Sequence, residues 1–186
     1  MTGSDKRTPL MIGQFKKPKC FKNLNVDEYL QYRNSSKAWM NMEIFNEWLY
    51  NWNKTLKQKQ KKILLVVDHC PSHRITIELS MIEVLYLPKN TTTVLQPMDQ
   101  GIIRSFKSHF NKFKFKHIIE QINYGDATIE CYKKLTLKDA VLFSYLAWKD
   151  VSVDTISKCF QHAKWENRIE EPIMGDHKIK NFEQII

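Results

Sequence analysis

The sequence holds little of what marks several protein classes. Cysteine occurs four times, at Cys20, Cys70, Cys131 and Cys159, and never as a CxxC pair. That scatter speaks against a disulfide framework and against a zinc finger, and it makes reduced thiols in a cytosolic or nuclear protein the expectation. Only five glycines and six prolines occur, too few for a low-complexity or loop-dominated chain. The longest apolar run, Ile63 to Val67, is far too short to cross a bilayer. No apolar run follows the charged start of the chain, so no signal peptide is expected. Acidic residues are in the minority, 20 against 29 Lys and Arg, for a formal charge of +9. Such an excess favours a polyanionic partner, usually nucleic acid, and the plain alternative is solubility. Hydrophobic residues at 42% and aromatics at 12% supply the core of one ordinary domain.

Leu10 to Gly13, after Pro9, reads as a short strand. Lys16, Lys17, Lys19 and Lys22 surround Pro18 in a basic loop, which reads first as a solvated turn. From Trp39 to Leu56 the apolar residues Phe45, Trp48, Leu49, Trp52 and Leu56 recur at helical spacing, with Asn41 as N-cap. Lys61 and Lys62 close that segment. The run Ile63 to Val67 predicts a strand buried on both faces, with Asp68 at its C-terminal end. A short helix is expected within 72–81, then a strand over 84–87 closed by Pro88. After the polar turn at 90–93 a long helix follows Gly101 to about Tyr124. Its outer charge comes from Arg104, Lys107, Lys112, Lys114 and Lys116. Thr136 and Asp139 form a capping box for a helix to Trp148. Ser152 opens another helix, through Ala163. The order predicts α/β with a helical C-terminal end.

Asp68 and Asp99 are the carboxylates that carry chemistry. The first ends a buried strand, where open α/β sheets build their sites. The second sits at the mouth of a long helix, where the dipole favours a charged carboxylate. Brought together they would repel unless a cation lay between them, and Mg²⁺ suits such a pair. Each also has a plain reading, as a strand-end turn former and as a helix cap. His69 and His73 stand at zinc-pair spacing, but Pro71 breaks any helix face between them. His73 reads as a histidine that orients a turn, with metal binding the alternative. Cys159 and His162 read as packing residues of the last helix. Gln96 and Gln100 flank Asp99, where they either position water or phosphate or simply face solvent.

The wording around these residues adds a family. Residues 65–73, Leu-Val-Val-Asp-His-Cys-Pro-Ser-His, and 87–101, Leu-Pro-Lys-Asn-Thr-Thr-Thr-Val-Leu-Gln-Pro-Met-Asp-Gln-Gly, resemble two motifs of DDE-type transposases of the Tigger/pogo kind. Residues 9–22, 37–48 and 148–163 agree with the same family in order. The resemblance implies an RNase H-like fold with Mg²⁺- or Mn²⁺-dependent strand cleavage at three carboxylates. Asp68 matches the second and Asp99 the third; the first would lie on a strand upstream of Met1, with the family's helix-turn-helix domains. The expected layout is a partial catalytic domain over 1–124, its C-terminal helices over 125–165 and a tail over 166–186. His69 departs from the family, which usually has Asn there.

Two function classes follow from the resemblance. One is an element-derived endonuclease remnant, with Mg²⁺ on Asp68 and Asp99 and DNA phosphate on Lys61, Lys62, Arg104, Lys107, Lys112, Lys114 and Lys116. In it the 186 residues alone show little or no nuclease activity. The other is a host-adopted, non-catalytic DNA-binding or chromatin-associated module. A decayed fragment without function is a third reading. The nucleus is the expected compartment, and a homo-oligomer or partner chain is expected to supply the missing strand.

Overall fold

The apolar run at 63–67 becomes the centre of one folded unit because no residue in it needs water. In the computed structural model, which describes residues 3–125, 127–165 and 184–185, all five residues of β3 (Ile63–Val67) are buried. Two short strands precede it, β1 (Leu10–Gly13) and β2 (Gln31–Asn34), with α1 (Met42–Gln58) after them. Downstream come β4 (Ile82–Tyr86), the single turn α2 (Thr92–Leu95) and the long α3 (Ile102–Asn123). Then follow α4 (Thr128–Lys134), α5 (Leu137–Asp150), α6 (Val153–His162) and the two-residue β5 (Gln184–Ile185). The content is mixed, as an α/β chain requires. Residues 166–183 and Ile186, most of the expected tail, lie outside the described residues. No helix of the described residues is long and apolar enough to cross a membrane.

The chain folds as two compact units, one of Met40–Ile102 with the chain from Asp154 on, the other of Ser4–Trp39 with Ile103–Val153. In the first, β3 pairs in parallel with β4, Ile63 against Ile82, and with β5. Helix α1 begins where the Asn41 side chain accepts from the Ile44 N–H. It buries Phe45, Leu49, Trp52 and Leu56 against Ile63, Leu65, Val67 and Ile82. Helix α6 ends in a Schellman turn. Lys164 sits in the left-handed region at φ 59°, its N–H bonds to the Gln161 carbonyl, and the Trp165 N–H reaches back to Phe160. A lysine there carries a Cβ penalty that glycine lacks. Lys164→Gly is therefore expected to raise stability by about 0.5–1 kcal/mol after glycine's entropy is discounted. A thermal melt reads the gain, and a lower midpoint would contradict it.

The expected helix within 72–81 is absent. A single 3-10 turn spans Pro71–His73, and 74–81 forms neither helix nor strand. Ile75, Ile77, Leu79 and Met81 pack on the core while the residues between them are exposed. That alternation is a strand period and not a helical one. The second strand also lies two residues earlier than expected at its start.

In the second unit β1 and β2 run parallel, Leu10 against Gln31 and Gly13 against Asn34. The pairing of β2, and helix α4, were not expected. Leu30, Val141 and Ala147 are fully buried there, with Phe110 edge-on to Phe143. The capping box at α5 is formed as expected, Thr136 and Asp139 satisfying each other's backbone. Lys6 closes the other end of α5, donating to the carbonyls of Trp148 and Val151 at 2.5 and 2.7 Å. Those are carbonyls a helix C-terminus otherwise leaves to water.

Candidate functional site

Because β3 is buried throughout, its first accessible side chain is Asp68, and that carboxylate is 44% exposed. The chain then turns sharply, with Cys70 N–H on the Asp68 carbonyl and His73 N–H on the Cys70 carbonyl. The turn swings His73 back, and its Nδ1 lies 2.6 Å from Asp68 Oδ1. The ring also packs 4.7 Å from Phe45. The His73 carbonyl accepts from the Tyr86 hydroxyl at 2.7 Å. Burial pushes the Tyr86 phenol up, offset by a backbone hydrogen bond from Ile75, so it stays protonated as that donor. His73 thus orients the turn and Asp68 with it. His69 is exposed, edge-on to Tyr86 at 5.7 Å, and does not meet His73.

Behind this turn stand two asparagines that the sequence reading passed over. Asn46 is 7% exposed. Its Nδ2 donates to the carbonyls of Met42 and Arg74 at 2.7 and 2.8 Å, and its Oδ1 accepts from the Thr76 N–H. Asn53, two turns on, accepts from the N–H groups of Ser80 and Met81. The signal was their seven-residue spacing, which puts both on one side of α1.

Asp99 belongs to the same unit. It lies in the 3-10 turn Pro97–Gln100, three residues ahead of α3, and is exposed. Its side chain makes no hydrogen bond or ion pair among the described residues. Gly101 follows at φ 141°, where an added Cβ would meet Cys159 Sγ at 3.1 Å. Burial raises the Cys159 thiol, a backbone bond at Ile102 opposing it, so it remains a neutral packing group. His162 Nδ1 donates to Gln100 Oε1 at 2.8 Å, and Gln100 Nε2 donates to the Thr93 carbonyl. Trp165 is 1% exposed and its indole N–H donates to the Leu95 carbonyl at 2.7 Å. The end of α6 therefore clasps the Asp99 turn from both sides. Gln96 faces inward, its Oε1 buried with no hydrogen-bond partner among the described residues.

The basic residues fall in both folded units. Lys61 and Lys62 precede β3, at the opposite end of the strand from Asp68, about 20 Å away along an extended chain. On α3 the helical repeat puts Arg104, Lys107 and Lys114 on one side and Lys112 and Lys116 on another. Lys112 lies 3.8 Å from Asp150 and Lys116 4.0 Å from Glu120. Lys114 lies over the Phe115 ring at 4.8 Å. These exposed pairs contribute little to stability, and they lower the charge offered to a polyanion.

The described residues contain no group of three or more His, Cys, Asp or Glu able to hold a metal. Asp68 and Asp99 lie in the same folded unit and offer carboxylate oxygens, the donor type a hard cation prefers. Mg²⁺ takes one or two carboxylates and keeps water for its other positions.

A family model described as DDE superfamily endonuclease matches residues 1–160. Among curated proteins, Tigger transposable element-derived protein 4 of Mus musculus is 31% identical over 166 residues, covering 88% of this chain and 31% of its own length. Tigger transposable element-derived protein 7 of Homo sapiens is 26% identical, over 93% of this chain and 36% of its own. CENP-B homolog protein 2 of Schizosaccharomyces pombe is 29% identical, over 94% and 35%. The chain spans about a third of the length of these relatives. No solved structure matches it.

Proposed function

Because the chain belongs to the DDE superfamily endonuclease family and is Tigger/pogo-like within it, we propose that it is a transposable-element-derived, nucleic-acid-binding module. In this reading the fold is RNase H-like, the compartment is the nucleus and the partner is DNA. Asp68 and Asp99 would hold Mg²⁺ or Mn²⁺. The observation that carries the reading is Asp68 itself: a carboxylate at the C-terminal end of the central buried strand, oriented by His73. Strand ends of this kind are where α/β sheets place ligands. When bound, the cation supplies charge neutralisation for a phosphodiester undergoing in-line displacement. The residues' own part is narrower. His73 fixes the rotamer of Asp68, and the clasp of Trp165 and His162 fixes the turn that carries Asp99. Lysines of α3 neutralise DNA phosphate, a binding mode that weakens steeply with salt.

Calorimetric titration of Mn²⁺ into the folded chain tests the reading, beside an Asp68→Asn/Asp99→Asn double variant. Saturable binding that the double variant loses is the expected result. Equal heats from both proteins, with unchanged melts, would dismiss the metal site. In the same samples the 186-residue chain is expected to bind duplex DNA without nicking it, since two carboxylates alone give an incomplete clamp. A host-adopted, non-catalytic role is the second reading. It is favoured by the placement of the α3 lysines in a folded unit other than that of Asp68. There Asp68→Asn leaves DNA affinity untouched.

A further inference from the structure

Two of the most exposed large apolar side chains of the molecule are aromatic and flanked by lysine. Phe15 is 69% exposed and Trp39 77%. Phe15 precedes Lys16 and Lys17, and Trp39 follows Lys37. Both emerge from the same end of the parallel pair β1 and β2. Gly13 is opposite Asn34 in the register, and the next residue, Ser35, donates its N–H to the Gly13 carbonyl at 3.0 Å. Parallel strands deliver their continuations to one edge, so the two aromatics share it.

That edge is built. The Tyr32 hydroxyl donates to the Phe15 carbonyl at 2.7 Å. It occupies the space over Gly13 where a Cβ would overlap it. Burial raises the Tyr32 phenol, with Cys20 adding to the effect, so it remains a donor. On the other branch Ser35 Oγ donates to the Trp39 carbonyl and accepts from the Trp39 N–H, with Ala38 at φ 54° between them. Core aromatics would not be displayed by hydrogen-bonded turns with their rings in water. The chain between the strands continues the theme. Lys16, Lys17, Lys19 and Lys22 line an open hollow of about 660 Å³ with Phe21 on its wall and Asp27 its one carboxylate. None of these four lysines, nor Lys37, has an ion-pair partner among the described residues. This differs from the lysines Lys112 and Lys116 of α3.

Rings that offer a free face and cations that far outnumber the one carboxylate beside them select an anion carrying planar apolar groups. Single-stranded nucleic acid has that composition, whereas in a duplex the bases are already stacked on each other. We propose that Phe15 and Trp39 form a stacking platform for unpaired DNA bases, with Lys16, Lys17 and Lys37 and the hollow behind them taking the adjoining phosphates. The site is separate in sequence from Asp68 and Asp99. It rests on the reading that the chain binds DNA.

Tryptophan fluorescence of the intact chain, titrated with a thymidylate 12-mer and with a duplex of equal length at one salt concentration, tests it. Of the five tryptophans Trp52 and Trp165 are buried and Trp48 and Trp148 half-buried, so the share of the quench due to Trp39 is read by comparison with Trp39→Phe. The expected result is quenching and tighter binding by the single strand than by the duplex. Trp39→Phe should keep the affinity and lose most of the quench. Trp39→Ala and Phe15→Ala should each weaken single-strand binding roughly 5- to 150-fold, as the loss of one stacked base does. Both sites are exposed, so melts should not move. Equal affinity for both DNAs, unaffected by either alanine, would overturn the platform while leaving the DNA-binding reading intact. No binding of either DNA would overturn both.

Discussion

Trp165→Ala should lower stability by about 3–5 kcal/mol, the usual cost of emptying a buried tryptophan site. For a chain of this size that is a fall in melting midpoint on the order of 10 °C. The side chain is among the largest of those fully buried, and it closes the Schellman turn of α6. Its indole N–H also satisfies the Leu95 carbonyl, which the truncation leaves without a protein partner. Trp165→Phe separates the two contributions. It keeps much of the volume and loses the hydrogen bond to Leu95, so about 1–2 kcal/mol of the loss should remain. The local consequence is the more informative one. Leu95 lies two residues before the Pro97–Gln100 turn, and Trp165 and His162 are its clasps. Hydrogen exchange of the amides across 94–101 should therefore accelerate in the alanine variant beyond what the global loss explains. An alanine variant that melts within 1 kcal/mol of the parent, with unchanged exchange at 94–101, would show that the clasp is not a support of the Asp99 turn.

What the sequence made legible was whatever repeats or punctuates. The α1 stripe of Phe45, Leu49, Trp52 and Leu56, the unbroken run of β3 and the Thr136–Asp139 box each have a local cause, and each is found where expected. Long-range partners had no local sign. Gln31–Asn34 pairs with β1 although it is polar and only four residues long, because its pairing is backbone to backbone. The segment 74–81 shows a different kind of miss. Its alternation of Ile75, Ile77, Leu79 and Met81 with polar neighbours is a strand period, too short and too far from regular pairing to stand out against a helical linker. The candidate site residues differ in how they announce themselves. Asp68 and Asp99 were named from their settings, whereas the groups that support them were not. Trp165 follows the last periodic residue, where helical spacing ends and carries no information. Asn46 and Asn53 are two of several polar residues in α1 and nothing local marks them off from its solvent face, although Asn46 is buried.

Asn46 carries the second large effect. Asn46→Leu keeps the branched shape with somewhat more volume and removes every polar contact of the side chain. The Arg74 carbonyl and the Thr76 N–H then lose their partners, and each such loss at a partly buried group costs about 1–3 kcal/mol. A destabilisation of about 2–4 kcal/mol by chemical denaturation is expected, with the cooperative transition retained. Asn46→Asp should recover only the smaller share, because a carboxylate accepts from Thr76 but cannot donate to Arg74 or Met42. The amide orientation is not ambiguous, since two carbonyls face Nδ2 and one N–H faces Oδ1. Arg74 follows His73 directly, so freeing its carbonyl loosens the turn that holds the imidazole on Asp68. Asn53→Ala is the matched control. It releases Ser80 and Met81, at the far end of the same segment, and leaves the His73 end anchored. If Asp68 takes part in metal binding, Asn46→Leu should weaken the Mn²⁺ titration and Asn53→Ala should not. Equal metal affinity in both variants would mean that the asparagines support the fold alone and that His73 does not need a fixed turn to orient Asp68.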